Sequence, residues 1–260
     1  MSRTLPVVLL LDMDDTILDN TGAQDDAWHQ ACVSGAEVHP GLDVEALYSE
    51  VMRVREIVWS DPEWHREWRM KVREAWGQIA REALAALGID APQLGQLIGD
   101  RHFELRDAAI APLPGAIEAL HRLRELDVRL GLITNGASAG QRAKIERFAL
   151  AAHFDYIGIE EEVGFGKPHA DAYRAALASL EATPEETWMV GDKLDWDVAG
   201  AQAVGIFGIW LDKAGVGLPK DSTTQPDRIV RSISELVPEQ YATPALRRSR
   251  FPSARRIKPD

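Results

Sequence analysis

The sequence predicts an α/β fold: a doubly wound parallel sheet, interrupted after its first strand by an all-helical segment. Three observations predict it. Short, strongly apolar runs alternate with amphipathic stretches through residues 110–240. The runs are apolar on both alternating sets of positions, which suits a sheet covered on both faces. Residues 21–109 break that rhythm, with long helical periods and no convincing strand.

Taken in order, PVVLLLD (6–12), VRLGLIT (128–134), DYIGI (155–159), TWMVGD (187–192) and IFGIWLD (206–212) read as buried strands. Between them, AIEALHRLREL (116–126), AGQRAKIERFAL (139–150), HADAYRAALASL (169–180) and DVAGAQAVG (197–205) carry apolar residues at three- and four-residue spacing and read as helices. Pro114-Gly115 precedes the first of these, and Pro184 starts a further short one. Strand and helix in alternation imply a parallel doubly wound sheet. Within 21–109, ALYSEVMRVREIVW and HREWRMKVREAWGQIAREALAALG read as helical stretches, the second stopping at Gly88. This segment holds five of the eight tryptophans: Trp28, Trp59, Trp64, Trp68 and Trp76. At helical spacing they are expected mainly in a core, with some at a pocket mouth. The domain expectation is a core from 1–20 and 110–240, a helical insertion from 21–109, and a tail from 241–260.

The bulk composition excludes several classes. Hydrophobic residues make up 45% and charged residues 27%, as in ordinary globular proteins. No apolar run approaches the roughly 20 residues of a membrane span. Acidic residues, not a small-residue cleavage site, follow the N-terminal apolar run, so no signal peptide is expected. A single cysteine, Cys32, excludes an intramolecular disulfide and fits a reducing, cytoplasmic setting. The net charge is −12, but residues 241–260 carry six basic side chains and one acid, leaving −17 on the other 240 residues. An acidic body argues against nucleic acid as partner. The Pro-, Ser- and Arg-rich tail has no period and is expected to be disordered.

In such a sheet, ligands bind beyond the carboxyl ends of the strands. The first strand presents Asp12, Asp14 and Asp15 there, the second Thr134 and Asn135, and the fourth Asp192, Asp195 and Asp197. The loop EEVGFGKP after the third presents Lys167. Crowded carboxylates repel and resist ionising unless cations sit among them. Carboxylates, one hydroxyl and one lysine at one edge suit magnesium-assisted phosphoryl transfer, because Mg²⁺ takes hard oxygen ligands. A carboxylate there can also attack phosphorus.

DMDDT, ITN, the GKP lysine and GDxxxxD, in that order, resemble the four motifs of the haloacid dehalogenase superfamily. LPGAIEALHRL, QRAKIERFAL and VGDKLDWDVAGAQAVGI resemble its branch with a helical cap after the first motif. The resemblance spans about Pro6 to Asp212. It implies a phosphatase with Asp12 as nucleophile and Asp14 as general acid, then base. It implies Mg²⁺ held by the Asp12 carboxylate, the Asp14 main-chain carbonyl and the Asp192 carboxylate. Thr134 would bond a phosphoryl oxygen, Asn135 would line the phosphate pocket, and Lys167 would neutralise developing charge. Asp197 would support the metal or Lys167 rather than bind the metal itself, and Asp195 would lie on the surface or cap a helix. Position 193 is Lys where the motif more often has Ser or Asn; its side chain would add positive charge near the metal or, as the favoured reading, simply face solvent. Position 15 is Asp where relatives often have Gly or Asn.

The same superfamily contains dehalogenases, which need no acid at the second aspartate, and phosphomutases, which hold a bisphosphorylated intermediate. Asp14 argues against the first, and no basic pair announces the second site of the other. A non-catalytic phospholigand-binding protein would not need the full set. The expected substrate is a small phosphate monoester, selected by the cap through residues such as His29, Arg53, Arg55, His65, Arg66, Arg69 or the tryptophans. The sequence does not disclose the oligomeric state.

Overall fold

The computed structural model describes residues 5–243 and 246–247, so most of the basic tail expected to be disordered lies outside the described residues. The chain divides into two compact units, Met1–Asp19 with Pro112–Asp260, and Asn20–Ala111. In chain order, β1 (Val8–Leu11) and the two-residue β2 (Leu18–Asp19) come first. Five helices follow: α1 (Gln24–Val38), α2 (Val44–Ser60), α3 (Pro62–Trp68), α4 (Val72–Ala86) and α5 (Pro92–Ala109). Then come β3 (Ala111–Pro112), α6 (Ala116–Glu125), β4 (Arg129–Thr134), α7 (Ser138–Arg147), β5 (Tyr156–Ile159), α8 (Glu160–Val163), α9 (Ala170–Ser179), β6 (Thr187–Gly191), α10 (Gly200–Gln202), β7 (Phe207–Leu211) and β8 (Arg228–Val230).

Six strands form one sheet in the order β5-β4-β1-β6-β7-β8, with every pairing parallel. This is the doubly wound α/β class the sequence predicts. All four residues of β1 are fully buried. Alternate side chains of a strand point to opposite faces, so this burial requires cover on both. On one face Val8 and Leu10 pack with Ile133, Met189 and the α9 residues Tyr173, Ala176 and Leu177. From β1 the chain builds outward through β4 and β5, then crosses to β6 on the other side and builds outward through β7 and β8. The direction reverses between β1 and β6, where such sheets leave a crevice at their carboxyl ends. The two strands are in register there, Leu11 beside Val190, and the Asp12 amide donates to the Val190 carbonyl at 3.0 Å.

Three local expectations differ from the structure. β8 was not anticipated: it is a three-residue edge strand paired to β7, too short to show a period. The helix expected at 197–205 is instead a π-helical turn, Leu194–Ala199, running into the short α10. The long helical stretch from His65 breaks at Arg69–Lys71 into α3 and α4. No breaker residue marks that break. The tryptophans show what accompanies it: Trp59 meets Trp64 edge-on, and Trp64 stacks with Trp68.

The helical unit has its own core, built from Trp28, Leu47, Val51, Trp76, Ile79, Ala83 and Ile98 among others. Trp28 and Trp76 are interior, as expected, and Trp59 and Trp64 pack against this core from partly buried positions. Cys32 is buried within it, and burial pushes its thiol up to about 12. Asp43 and Asp61 cap α2 and α3, accepting from the Ala46 and Glu63 amides.

Candidate active site

The residue after β1, Asp12, and the residue after β6, Asp192, stand on either side of the switch point. Asp197 joins them from the π-helical turn, a distortion often found at functional sites. Its approach requires Gly191: a Cβ there would meet the Asp197 carboxylate at 2.2 Å. Between Asp12 and Asp197 lies the Lys167 ammonium, donating at 2.6 Å to Oδ1 of each. Lys167 is 2% exposed, and a charge so buried requires such partners. Asn135 holds its main chain, donating to the Lys167 carbonyl at 2.7 Å and accepting from the Lys167 amide at 2.8 Å. The Asn135 side chain is thus committed to placing the lysine.

One ammonium does not balance this crowd. Burial pushes the Asp12 carboxyl up to about 8; Lys167 opposes the shift, while Asp197, Asp192 and Asp14 add to it. Burial also raises Asp192, against the pull of Lys193. For Lys167 burial pulls down, but Asp12 and Asp197 hold it above the ordinary lysine value. A further cation among the carboxylates would restore their acidity. Carboxylate oxygens of Asp12, Asp192 and Asp197 lie within 4.8 Å of one another. This all-oxygen donor set fits a hard divalent metal ion.

Asp14 lies on the turn after β1, where Asp15 has φ +61°, a left-handed conformation that Gly, Asn and Asp tolerate best. That geometry suits the Asp found at position 15. The Asp14 side chain is not in the three-carboxylate group. Both its oxygens accept from the Lys144 ammonium at 2.6 Å, and Gln141 donates to one at 3.2 Å. Thr134, buried at the end of β4, accepts from Gln141 at 2.6 Å.

Sequence reasoning passed over Gln141, Lys144 and Lys213. The first two sit in QRAK, and their spacing on α7 was the only available signal. Lys213 follows β7 and pairs with Asp15 at 2.5 Å and Asp19 at 3.1 Å. The Lys193 side chain is half-exposed, and its ammonium donates to Asp192 Oδ2 at 2.7 Å. Asp195 is exposed and accepts from Thr224 at 3.5 Å.

The sequence pattern of the haloacid dehalogenase-like hydrolases matches residues 7–205. The chain belongs to this family. Among named relatives, the phosphoserine phosphatase of Thermus thermophilus is 33% identical over 250 residues, covering 88% of this chain and 97% of that protein. The glyceraldehyde 3-phosphate phosphatase of Pyrococcus abyssi is 29% identical over 207 residues, covering 78% and 80%. Among solved structures, the magnesium-bound HAD-hydrolase YfnB of Bacillus subtilis aligns with a TM-score of 0.69 at 22% identity, over 89% of this chain and 97% of that one. At that identity it speaks for the fold alone.

In the helical unit, several candidate recognition side chains have partners of their own. His29 meets Glu45 at 2.9 Å, Arg55 meets Asp25 at 2.7 Å, and Arg53 bonds Glu50. His65 lies against Trp59, with ring centroids 5.1 Å apart. The Arg66 side chain lies outside what is described. No helix among the described residues is long and apolar enough to cross a membrane.

Proposed function

We propose that the chain is a Mg²⁺-dependent phosphoric monoester hydrolase acting on a small phosphate ester through an aspartyl-phosphate on Asp12. The observation that carries the reading is the buried Lys167 ammonium shared by Asp12 and Asp197 beside Asp192, at the switch point of the sheet. That arrangement offers one reachable carboxylate nucleophile and a concentration of positive charge for a phosphoryl group.

Lys167 occupies Oδ1 of Asp12, while Oδ2 accepts only a 3.3 Å bond from Thr16 among the described partners, so Oδ2 is the oxygen assigned to attack. Its bond to phosphorus forms as the ester P–O bond breaks. Asp14 gives a proton to the departing oxygen, then takes one from the water that attacks the aspartyl-phosphate. Phosphate leaves and Asp12 is restored. Thr134 donates to a phosphoryl oxygen, and Lys167 offsets the charge that builds up on the group. The carboxylates of Asp12 and Asp192 and the Asp14 carbonyl would hold Mg²⁺, which would supply further charge neutralisation, while Asp197 steadies Lys167.

The named substrates of the two phosphatase relatives are small organic phosphate esters, and that class is proposed here. Substrate choice is assigned to the helical unit. The test is phosphate release from p-nitrophenyl phosphate and a panel of metabolite phosphates, with and without Mg²⁺, for wild type and Asp12→Asn. Metal-dependent turnover lost in the variant supports the reading; turnover that survives Asp12→Asn overturns it.

A further inference from the structure

Gln141 and Lys144 lie three residues apart on α7, on one helix face, and both reach residues of the site. Gln141 is 5% exposed, and its Nε2 donates to Thr134 Oγ1 at 2.6 Å, the Asn135 carbonyl at 2.7 Å and Asp14 Oδ2 at 3.2 Å. The Asn135 carbonyl only accepts, so the nitrogen must face this group. The two amide hydrogens are shared among these three acceptors, and an amide nitrogen accepts nothing, so the Thr134 hydroxyl hydrogen points elsewhere. Lys144 is 12% exposed in its side chain and donates to both oxygens of Asp14, whose carboxylate has no fixed place in the three-carboxylate group.

We infer that Gln141 and Lys144 are positioning residues: Gln141 makes the Thr134 hydroxyl a dedicated donor to the phosphoryl group, and Lys144 sets the direction from which Asp14 meets the leaving oxygen. This rests on the phosphatase reading above. The two roles act at different atoms of one step, the phosphoryl oxygens and the leaving oxygen, so their dependence on the leaving group separates them from a purely structural contribution. A p-nitrophenolate leaves with little need of a proton, whereas an alkoxide needs one. Because kcat/KM reports the steps up to the first irreversible one, it isolates phosphoryl transfer to Asp12. General acid catalysis contributes about 10²–10⁴-fold to such steps.

The experiment compares kcat/KM on p-nitrophenyl phosphate and glycerol phosphate, with melting curves for every variant. Lys144→Met is expected to lose at least about tenfold more on the alkyl ester than on the aryl ester, with partial recovery in Lys144→Arg. Lys144→Gln replaces the Met variant if that one fails to fold. Gln141→Met is expected to lower both esters alike, by about tenfold, and to add nothing when Thr134 is already Val. Equal losses on both esters for Lys144→Met, or additive losses for Gln141→Met and Thr134→Val, overturn the inference while leaving the phosphatase reading intact. A wild type without turnover on any ester, or an active Asp12→Asn, overturns that reading and this inference with it.

Discussion

At Lys167 a single ammonium, 2% exposed, stands between two carboxylates 2.6 Å away. Removing one partner of a buried ion group costs about 3–5 kcal/mol, because the charges left behind remain buried. Lys167→Met is therefore expected to lower the melting temperature markedly, and millimolar Mg²⁺ to recover part of the loss. An unchanged melting temperature by calorimetry would contradict this charge balance. Lys193 acts in the opposite sense. Its ammonium bonds Asp192 Oδ2 at 2.7 Å, so it would compete with a metal held at that oxygen. Lys193→Ser is expected to tighten Mg²⁺ binding by about tenfold in isothermal titration, since a like charge a few ångströms away is removed. Equal affinity in both proteins would show that the pair has no bearing on the metal. These residues differ in how legible they were. Asp12, Thr134 and Asp192 stand at or just beyond strand ends, which parallel topology alone sends to one edge, and the GKP motif marks Lys167 in the loop beyond α8. Gln141 and Lys144 reach the site through the orientation of α7, which one sequence does not reveal, whereas Lys213 lies two residues beyond β7 and its strand-end position was the signal that could have found it.

The elements carry a second set of constraints that periodicity does not show. The crossing of α4 and α5 depends on Gly77 and Gly99: a Cβ on Gly99 would meet the Gly77 backbone at 2.3 Å. In a sequence these glycines look like weak points of good helices, whereas here they allow close approach. Likewise the π-helical turn after β6 arises from bringing Asp197 back to Lys167, a tertiary demand that overrides local pattern. On α5, His102 is fully buried, stacked on Trp28 with ring centroids 3.8 Å apart, and edge-on to Trp76. Neither ring nitrogen has a hydrogen-bond partner among the described residues. Burial, with Arg106 and Arg55 adding to it, lowers its pKa from 6.5 to about 2. The folded pKa lies below the unfolded one, so the folded state favours the neutral ring. Its contribution is complete above pH 6.5 and is lost as pH falls below that value. Between pH 7 and pH 5 this amounts to about 2 kcal/mol. Urea unfolding of His102→Phe is expected to show a correspondingly smaller loss over that range than wild type. An identical pH dependence in both would remove His102 from the acid response.

For the whole molecule, the sheet class was legible because buried parallel strands are nearly all apolar and the helices between them keep a clear period. The short β8 and the break between α3 and α4 were not, since a three-residue edge strand has no period and the break has no Gly or Pro to announce it. Net charge was legible as a total and as a contrast between body and tail, not residue by residue. The structure shows how much of it is arranged locally, with Lys144, Lys167, Lys193 and Lys213 each held against aspartates on the loops after β1 and β6 or on the turn beyond. A metal that binds only the folded chain stabilises it by mass action, so Mg²⁺ is expected to raise the wild-type melting temperature. The central claim is covalent, and trapping tests it most directly. Enzyme mixed with a turned-over phosphate ester is quenched in acid, reduced with borohydride and mapped by mass spectrometry. Reduction is expected at Asp12, giving homoserine, absent without substrate and absent in Asp12→Asn. Turnover with no modification at Asp12, or with the modification on another carboxylate, would contradict it.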